Sequence, residues 1–182
     1  LVGLVVRFYY LPTEIPIVTD GFFHFVYANK MILEEGLPIG YSTTSTGWSY
    51  FLSFFFLLAD SNDPLQLMQI QRISSIIFSS IVIIPAFYIF KKFVNTKWAL
   101  FGSFALVMEP RLLLMSIEGL NFQLHFFIFV SIIALFLNKK NYTFYISFVC
   151  IALLSLVRYE GVLLLAPAII LYLLKSNEKR SI

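Results

Sequence analysis

The chain of 182 residues contains one cysteine, Cys150, and only 13% charged residues, against 59% hydrophobic and 18% aromatic ones. A lone cysteine excludes an internal disulfide, and its position inside an apolar run says nothing about redox compartment. The shortage of charge excludes more. Soluble domains carry roughly 25% charged residues and about 45–50% apolar ones, so this chain has too thin a polar coat to hide its apolar mass from water. Disorder is excluded with solubility, because disordered chains are poor in hydrophobic residues. A net charge of +3 is too small to imply a nucleic-acid partner. There is no internal repeat and no cleavable signal peptide. What remains is an integral membrane protein, with room at about 20 residues per crossing for five or six spans and one polar segment. It opens in an apolar run, Leu1-Val2-Gly3-Leu4-Val5-Val6, and stops in a charged tail, which reads as a piece of a longer polytopic protein, truncated at both ends.

The expected fold is all-α: a polytopic transmembrane helical bundle forming a single membrane-embedded domain over residues 1–182, because unsatisfied backbone cannot face lipid. Residues 1–10 read as the end of a first span. Apolar runs place transmembrane helices at 66–91, 97–117, 119–138, 141–157 and 159–174. The last is short, and recruits Arg158-Tyr159-Glu160 at its mouth or sits where the bilayer thins. Between the first two spans lies an outer loop, 11–65, with interfacial amphipathic helices. Trp48 to Ala59 has 12 residues, about 18 Å of helix, which suits an interfacial helix better than a crossing.

Charge placement supports this layout. Lys91, Lys92, Lys97, Lys139, Lys140, Lys175, Lys179 and Arg180 fall on one side, the cytoplasm under the positive-inside rule. They anchor topology and have no catalytic reading. Glu14, Asp20, Glu34, Glu35, Asp60, Asp63, Glu109, Glu118 and Glu160 face outside or line the outer half, leaving only Glu178 within. That bias marks a polar working face on the extracytoplasmic side; the membrane is expected to be the plasma membrane of a prokaryote.

From Gly21 to Glu35 the apolar residues Phe22, Phe25, Val26, Ile32 and Leu33 form a helical stripe, and Asp20, His24, Tyr27 and Met31 follow on the adjoining face. Asp20 either only caps this helix or does chemistry. His24 reads as an interfacial side chain rather than a metal ligand. The loop Leu37–Gly47, rich in Gly, Ser and Thr, is either a solvated connector or a surface for a polyhydroxylated ligand. Ionisable groups at membrane depth usually face a cavity or one another. Here they are Glu109 and Arg111 around the kinking Pro110, Glu118 two turns on, and Arg158 with Glu160, each couple a candidate for plain self-satisfaction. Gln123 and His125 fit interhelical hydrogen bonds.

The serial order is informative. Asp20 opens an amphipathic outer helix, DGFFHFVYANKMILEEG, after a first span. A polar loop and the Trp48 helix follow, then Gln71-Arg72-Ile73-Ser74-Ser75 opening a span that ends in Lys91-Lys92-Phe93. Pro110, Ser116 and Gly119 precede another span, and Val157-Arg158-Tyr159-Glu160-Gly161 opens the last. This order resembles the polytopic glycosyltransferases of the GT-C fold over essentially the whole chain. The protein O-mannosyltransferase and aminoarabinose transferase group looks nearest, with oligosaccharyltransferase catalytic subunits as cousins. The resemblance implies that Asp20 is the catalytic aspartate of the first outer loop. Arg158 matches the basic residue that contacts the lipid carrier's phosphate, with Arg111 or Arg72 as helpers. His24, Tyr27, Glu109, Glu118, Asn121, Gln123, Tyr159 and Glu160 would line the substrate cavity. Two departures stand out. Gly21 replaces a frequent second acid, and Asn121 and Gln123 stand where relatives place a carboxylate. No definite cofactor is implied; a divalent metal stays open, with Asp20 and Glu118 as its candidate ligands.

The implied reaction moves a sugar from a polyprenyl-phosphate donor to a hydroxyl of a protein, lipid or glycan acceptor. Asp20 takes the hydroxyl proton as oxygen attacks the anomeric carbon with inversion, and Arg158 stabilises charge on the departing phosphate. The rival readings are a transporter or lipid flippase with an outer-half polar cavity, for which no repeat is found, and a non-catalytic membrane scaffold.

Overall fold

In the computed structural model, which describes residues 2–18, 20–34, 36, 45–138 and 140–180, the chain is all-α, with no strand among the described residues. Glu35, most of the Leu37–Gly47 loop, Lys139 and the side chains of Lys175, Glu178, Lys179 and Arg180 lie outside the described residues. The helices are α1 (Val2–Tyr9), α2 (Asp20–Leu33), α3 (Gly47–Ala59), α4 (Pro64–Ile81), α5 (Ile83–Phe90), α6 (Thr96–Val107), α7 (Pro110–Ile117), α8 (Phe122–Phe136), α9 (Asn141–Val157) and α10 (Leu165–Arg180), with a 3-10 segment, Tyr159–Leu164, before the last.

Helix starts follow local chemistry. Asp63 Oδ1 accepts from the Leu65 amide at 3.0 Å, one residue after which Pro64 begins α4. Asn95 Oδ1 accepts from the Trp98 amide at 3.1 Å to start α6. Glu109 Oε2 accepts from the Leu112 amide at 2.7 Å ahead of Pro110 at the head of α7. Each is a side-chain acceptor for an amide that the first turn leaves unpaired, and proline fits there because its missing N–H is not needed.

Helices α4 and α5 run on as one 27-residue helix, Pro64–Phe90, long and apolar enough to cross a membrane. The slip between them at Val82 falls where Pro85 has no amide for the Ile81 carbonyl. The kink expected at Pro110 within 97–117 is present: α6 and α7 are two helices bent by 48°, because Pro110 leaves the end of α6 without a continuing ladder. The 119–138 span starts late, at Phe122, because Gly119 turns at φ +72°. The segment expected as helix from 159 opens as a 3-10 turn. Helices α8 and α9 have 15 and 17 residues, about 22 and 26 Å, below a hydrocarbon core of about 30 Å.

α8 lies parallel to α4–α5, with Phe78 on Phe127 at 5.8 Å and Val82 and Ala86 buried with Val130. α9 returns antiparallel along α8, Phe136 meeting Phe144 at 5.5 Å, and Ile151 and Leu154 share a cluster with Ile132 and Ala168 of α10. Lys91, Lys92, Lys97 and Lys140 therefore gather at one end of the bundle, and Asp63, Glu118, Asn121 and Arg158 at the other.

The amphipathic reading of α2 is corrected. His24, Phe25, Tyr27, Ala28 and Met31 are buried, whereas Phe22, Phe23 and Leu33 are exposed. The inward face is chosen by α3, which runs parallel to α2 and presents Trp48, Ser49, Leu52 and Phe56. A small Ala28 and a hydrogen-bonding His24 fit that surface more closely than a row of phenylalanines.

One charge escaped the sequence reading. Arg7 is 1% exposed and donates to Ser116 Oγ at 3.1 Å, Gly3 O at 2.9 Å, Ser79 Oγ at 2.7 Å and Val107 O at 2.8 Å. The Val107 carbonyl is among those that the α6–α7 bend strips of a helical amide, so Arg7 of α1 caps the broken end of α6 while tying it to α4 and α7. Replacing Arg7 by Met leaves that carbonyl and the Ser79 hydroxyl without their donor, while Ser116 keeps its bond to Leu113 O, and should lower stability by roughly 2–5 kcal/mol. Arg7→Lys should recover only part of this, lacking the planar fork; thermal unfolding of the purified protein decides it.

Candidate active site

The end of the bundle carrying Asp20 is built around a buried amide. Gln71, fully buried in the second turn of α4, donates Nε2 to Gly21 O and to Gly119 O, both at 2.9 Å. Trp48 Nε1 donates to the same Gly119 carbonyl at 3.3 Å. The left-handed Gly119 aims its carbonyl into this junction, and α2, α3, α4 and the α7–α8 turn are thereby pinned to one point. Sequence reading quoted Gln71 only as the opening of a span and passed over Trp48; a glutamine in an apolar helix is the signal that would have found it.

Gly21 lies where any side chain would collide. A Cβ there would stand 2.6 Å from Ile17 Cγ2 and 2.9 Å from the backbone oxygen of Glu118. Gly47 is tighter, 2.5 Å from Leu156 O, and Gly161 would meet Leu154 and Ser155 backbone at 2.8 Å. Ser45 Oγ adds a short hydrogen bond to Val157 O. The start of α3 is thus pressed onto the end of α9, one residue before Arg158.

On this scaffold Asp20 is the first residue of α2. It is exposed, and its carboxylate accepts no hydrogen bond and enters no ion pair with the described residues. The capping role considered from sequence is not what it does among those residues. His24, one turn on, is 2% exposed, with Nδ1 3.2 Å from Ser49 Oγ. Burial pushes its pKa down to about 4; the negative Asp20 partly offsets this and the positive Arg158 adds to it. Asp20, His24 and Arg158 therefore share one electrostatic neighbourhood. Arg158 is held by Glu160 through Nη2–Oε1 at 2.9 Å and Nε–Oε2 at 3.4 Å, at 37% and 41% side-chain exposure. That hydrogen bond raises the Arg158 pKa, so the guanidinium stays charged.

The other expected site residues divide. Glu118, exposed, caps α7 beside Gly21; Asn121 is half-buried ahead of α8; Tyr159 is exposed next to Arg158. His125 is stacked between Phe122 and Phe129 and within electrostatic reach of Arg158 and Glu160. Gln123 is buried and donates to Leu112 O at 3.1 Å, an interhelical role that faces no open cavity. Tyr27 is likewise buried against α3. Arg72 is turned inward: Nη1 donates to Pro12 O at 2.7 Å and Nε to Ile117 O at 3.1 Å, fastening the 11–18 segment to the end of α7. Glu109 and Arg111 stand at the far end of α7 from Glu118, about 10 Å along the axis, and form no ion pair with each other among the described residues. No group of three metal-binding side chains occurs among the described residues.

Two outcomes follow from this geometry. Gly21→Ala should cost roughly 1–3 kcal/mol, because backbone at Glu118 cannot yield as a flexible side chain would, and Gly21→Asp should cost more; thermal unfolding measures both. For His24, the unfolded ring titrates near an ordinary value of about 6.5 and the buried ring at about 4. Above pH 6.5 both states are neutral. Between 6.5 and 4 only the unfolded state takes up the proton, so stability falls as pH falls, by at most about 3 kcal/mol. Hydrogen exchange in α2 and α3 should quicken over that window, and His24→Asn should flatten the dependence. Compared with protein-family models, with curated proteins and with solved structures, the chain matches none.

Proposed function

We propose that this chain is the membrane-embedded part of a multi-pass GT-C-type glycosyltransferase of a prokaryotic plasma membrane, acting on the extracytoplasmic side. It takes a polyprenyl-phosphate sugar, and Asp20 is the general base that accepts the proton of the acceptor hydroxyl. α2 and α3 lie at the membrane surface on that side, and the helices from α4 onward cross the bilayer, α6 and α7 as one bent span. The observation that supports this most is the exposed Asp20 carboxylate, without a hydrogen-bond or ion-pair partner among the described residues, in the same electrostatic neighbourhood as Arg158. A base needs a free lone pair, and Asp20 has one.

The chemistry follows from that couple. The acceptor oxygen attacks the anomeric carbon as the sugar–phosphate bond breaks, the proton passes to Asp20, and the bonding electrons leave with the phosphate. Arg158 releases or shares Glu160 to meet the growing phosphate charge, since an ion pair this exposed is held by little energy. His24, neutral at physiological pH, supports the wall behind Asp20 and does not compete for the proton. Arg72 is positional rather than phosphate-binding in this reading.

The test uses the full-length protein in membranes with radiolabelled polyprenyl-phosphate sugar. Asp20→Asn should reduce transfer by roughly 10²- to 10⁴-fold with insertion and donor binding intact. Arg158→Ala should weaken donor binding. Transfer undiminished in the Asp20→Asn protein overturns the assignment.

A further inference from the structure

A concavity stands apart from Asp20 and Arg158. It is an open groove of about 510 Å³ where the C-terminal halves of α2 and α3 meet the start of α4. Small-molecule sites fall at roughly 300–1,000 Å³, so the groove is of ligand size. Its floor is apolar and buried: Phe25, Phe56 and Leu67, with the Phe25 and Phe56 rings 5.8 Å apart. Its accessible rim is polar, with Asn29, Lys30, Asp60, Ser61 and Asn62, the charges of Lys30 and Asp60 being of opposite sign. Asn29 Nδ2 donates to Phe25 O at 3.1 Å, which fixes the carboxamide. Asp60 and Asn62 have no side-chain partner among the described residues.

Asp60 carries a backbone feature of its own. It closes α3 in the left-handed conformation, φ 45° and ψ 42°, the one non-glycine residue with positive φ among those described. Glycine occupies such a C-terminal position at lower cost. A carboxylate is kept here at some expense in backbone energy, and its side chain stands at the groove.

We infer that this groove binds a saccharide unit of the acceptor, which deepens the glycosyltransferase reading and rests on it. An uncharged polyhydroxylated ring presents hydroxyls at its edge and C–H groups on its face. A carboxylate and two carboxamides pair with the first, and an aromatic and aliphatic floor with the second. Asn29 lies nine residues along α2 from Asp20, about 14 Å, so an acceptor held in the groove must be elongated to bring another hydroxyl to Asp20.

The probe is a set of methyl glycosides of glucose, mannose, galactose and N-acetylglucosamine, offered to the purified full-length protein and read by saturation-transfer NMR. At least one should bind. Asp60→Gly should weaken it about tenfold while raising the thermal midpoint, since glycine relieves the backbone; Asn62→Ala should weaken it without changing that midpoint. A role limited to capping would leave binding unchanged in Asp60→Gly. The inference is overturned if no glycoside binds, or if binding survives in the Asp60→Gly, Asn62→Ala double variant. The readout is binding, so it separates the two readings. A groove that binds sugar in a protein that transfers none removes only the enzyme. Transfer by a protein with an unresponsive groove removes only this site.

Discussion

Broken helices in an apolar bundle must find partners for the carbonyls and amides that the break frees, and this structure turns on how it finds them. Val107 and Gly119 are buried, and a buried carbonyl left without a donor costs kilocalories. The α6–α7 bend is served by Arg7, whose fork reaches Val107 O and the hydroxyls of Ser79 and Ser116 together. The turn between α7 and α8 is served by Gln71 and Trp48 on the Gly119 carbonyl. Both solutions draw donors from other helices. Satisfying the backbone is therefore the same event as assembling the bundle.

That coupling explains why the polar end is so closely set. Gln71 also takes the Gly21 carbonyl, so the first turn of α2 is fixed by the amide that closes the α7–α8 turn. Gly21, Gly47 and Gly161 let backbones approach to distances that a Cβ would forbid. Arg158 then follows directly on the α9 end that Gly47 and Ser45 clamp. Close packing of small residues does here what a disulfide framework does in secreted domains, and with one cysteine the chain has no such alternative.

Asp20 and His24 show how burial divides labour between neighbours. They are four residues apart on one helix, yet one is exposed, with no hydrogen-bond or ion-pair partner among the described residues, while the other is 2% exposed and held neutral. Packing of α2 on α3 makes the difference, since it covers position 24 and leaves position 20 beyond the edge. Of the two titratable groups, only Asp20 is left exposed.

Composition and hydropathy by themselves determined that the chain is all-α, where most helices lie, and that Pro110 breaks one of them. Apolar runs, capping residues and proline act within a few residues of themselves, so a linear reading reaches them. Asp63, Asn95 and Glu109 each cap a helix from one position away, although none of the three is read as a cap from the sequence. Which face of α2 turns inward was not legible, because periodicity marks an apolar stripe without saying which surface will meet it; α3 selected the His24 side. Gly21 read as a missing acid, and only the approach of Glu118 backbone shows that no side chain fits. Arg72 enters from sequence only through the resemblance and Arg7 not at all, and apart from Gly3 their partners lie 45 to 109 residues away. Partners at that separation are decided by the tertiary structure, because a hydrogen bond depends on position in space and the sequence records only order along the chain.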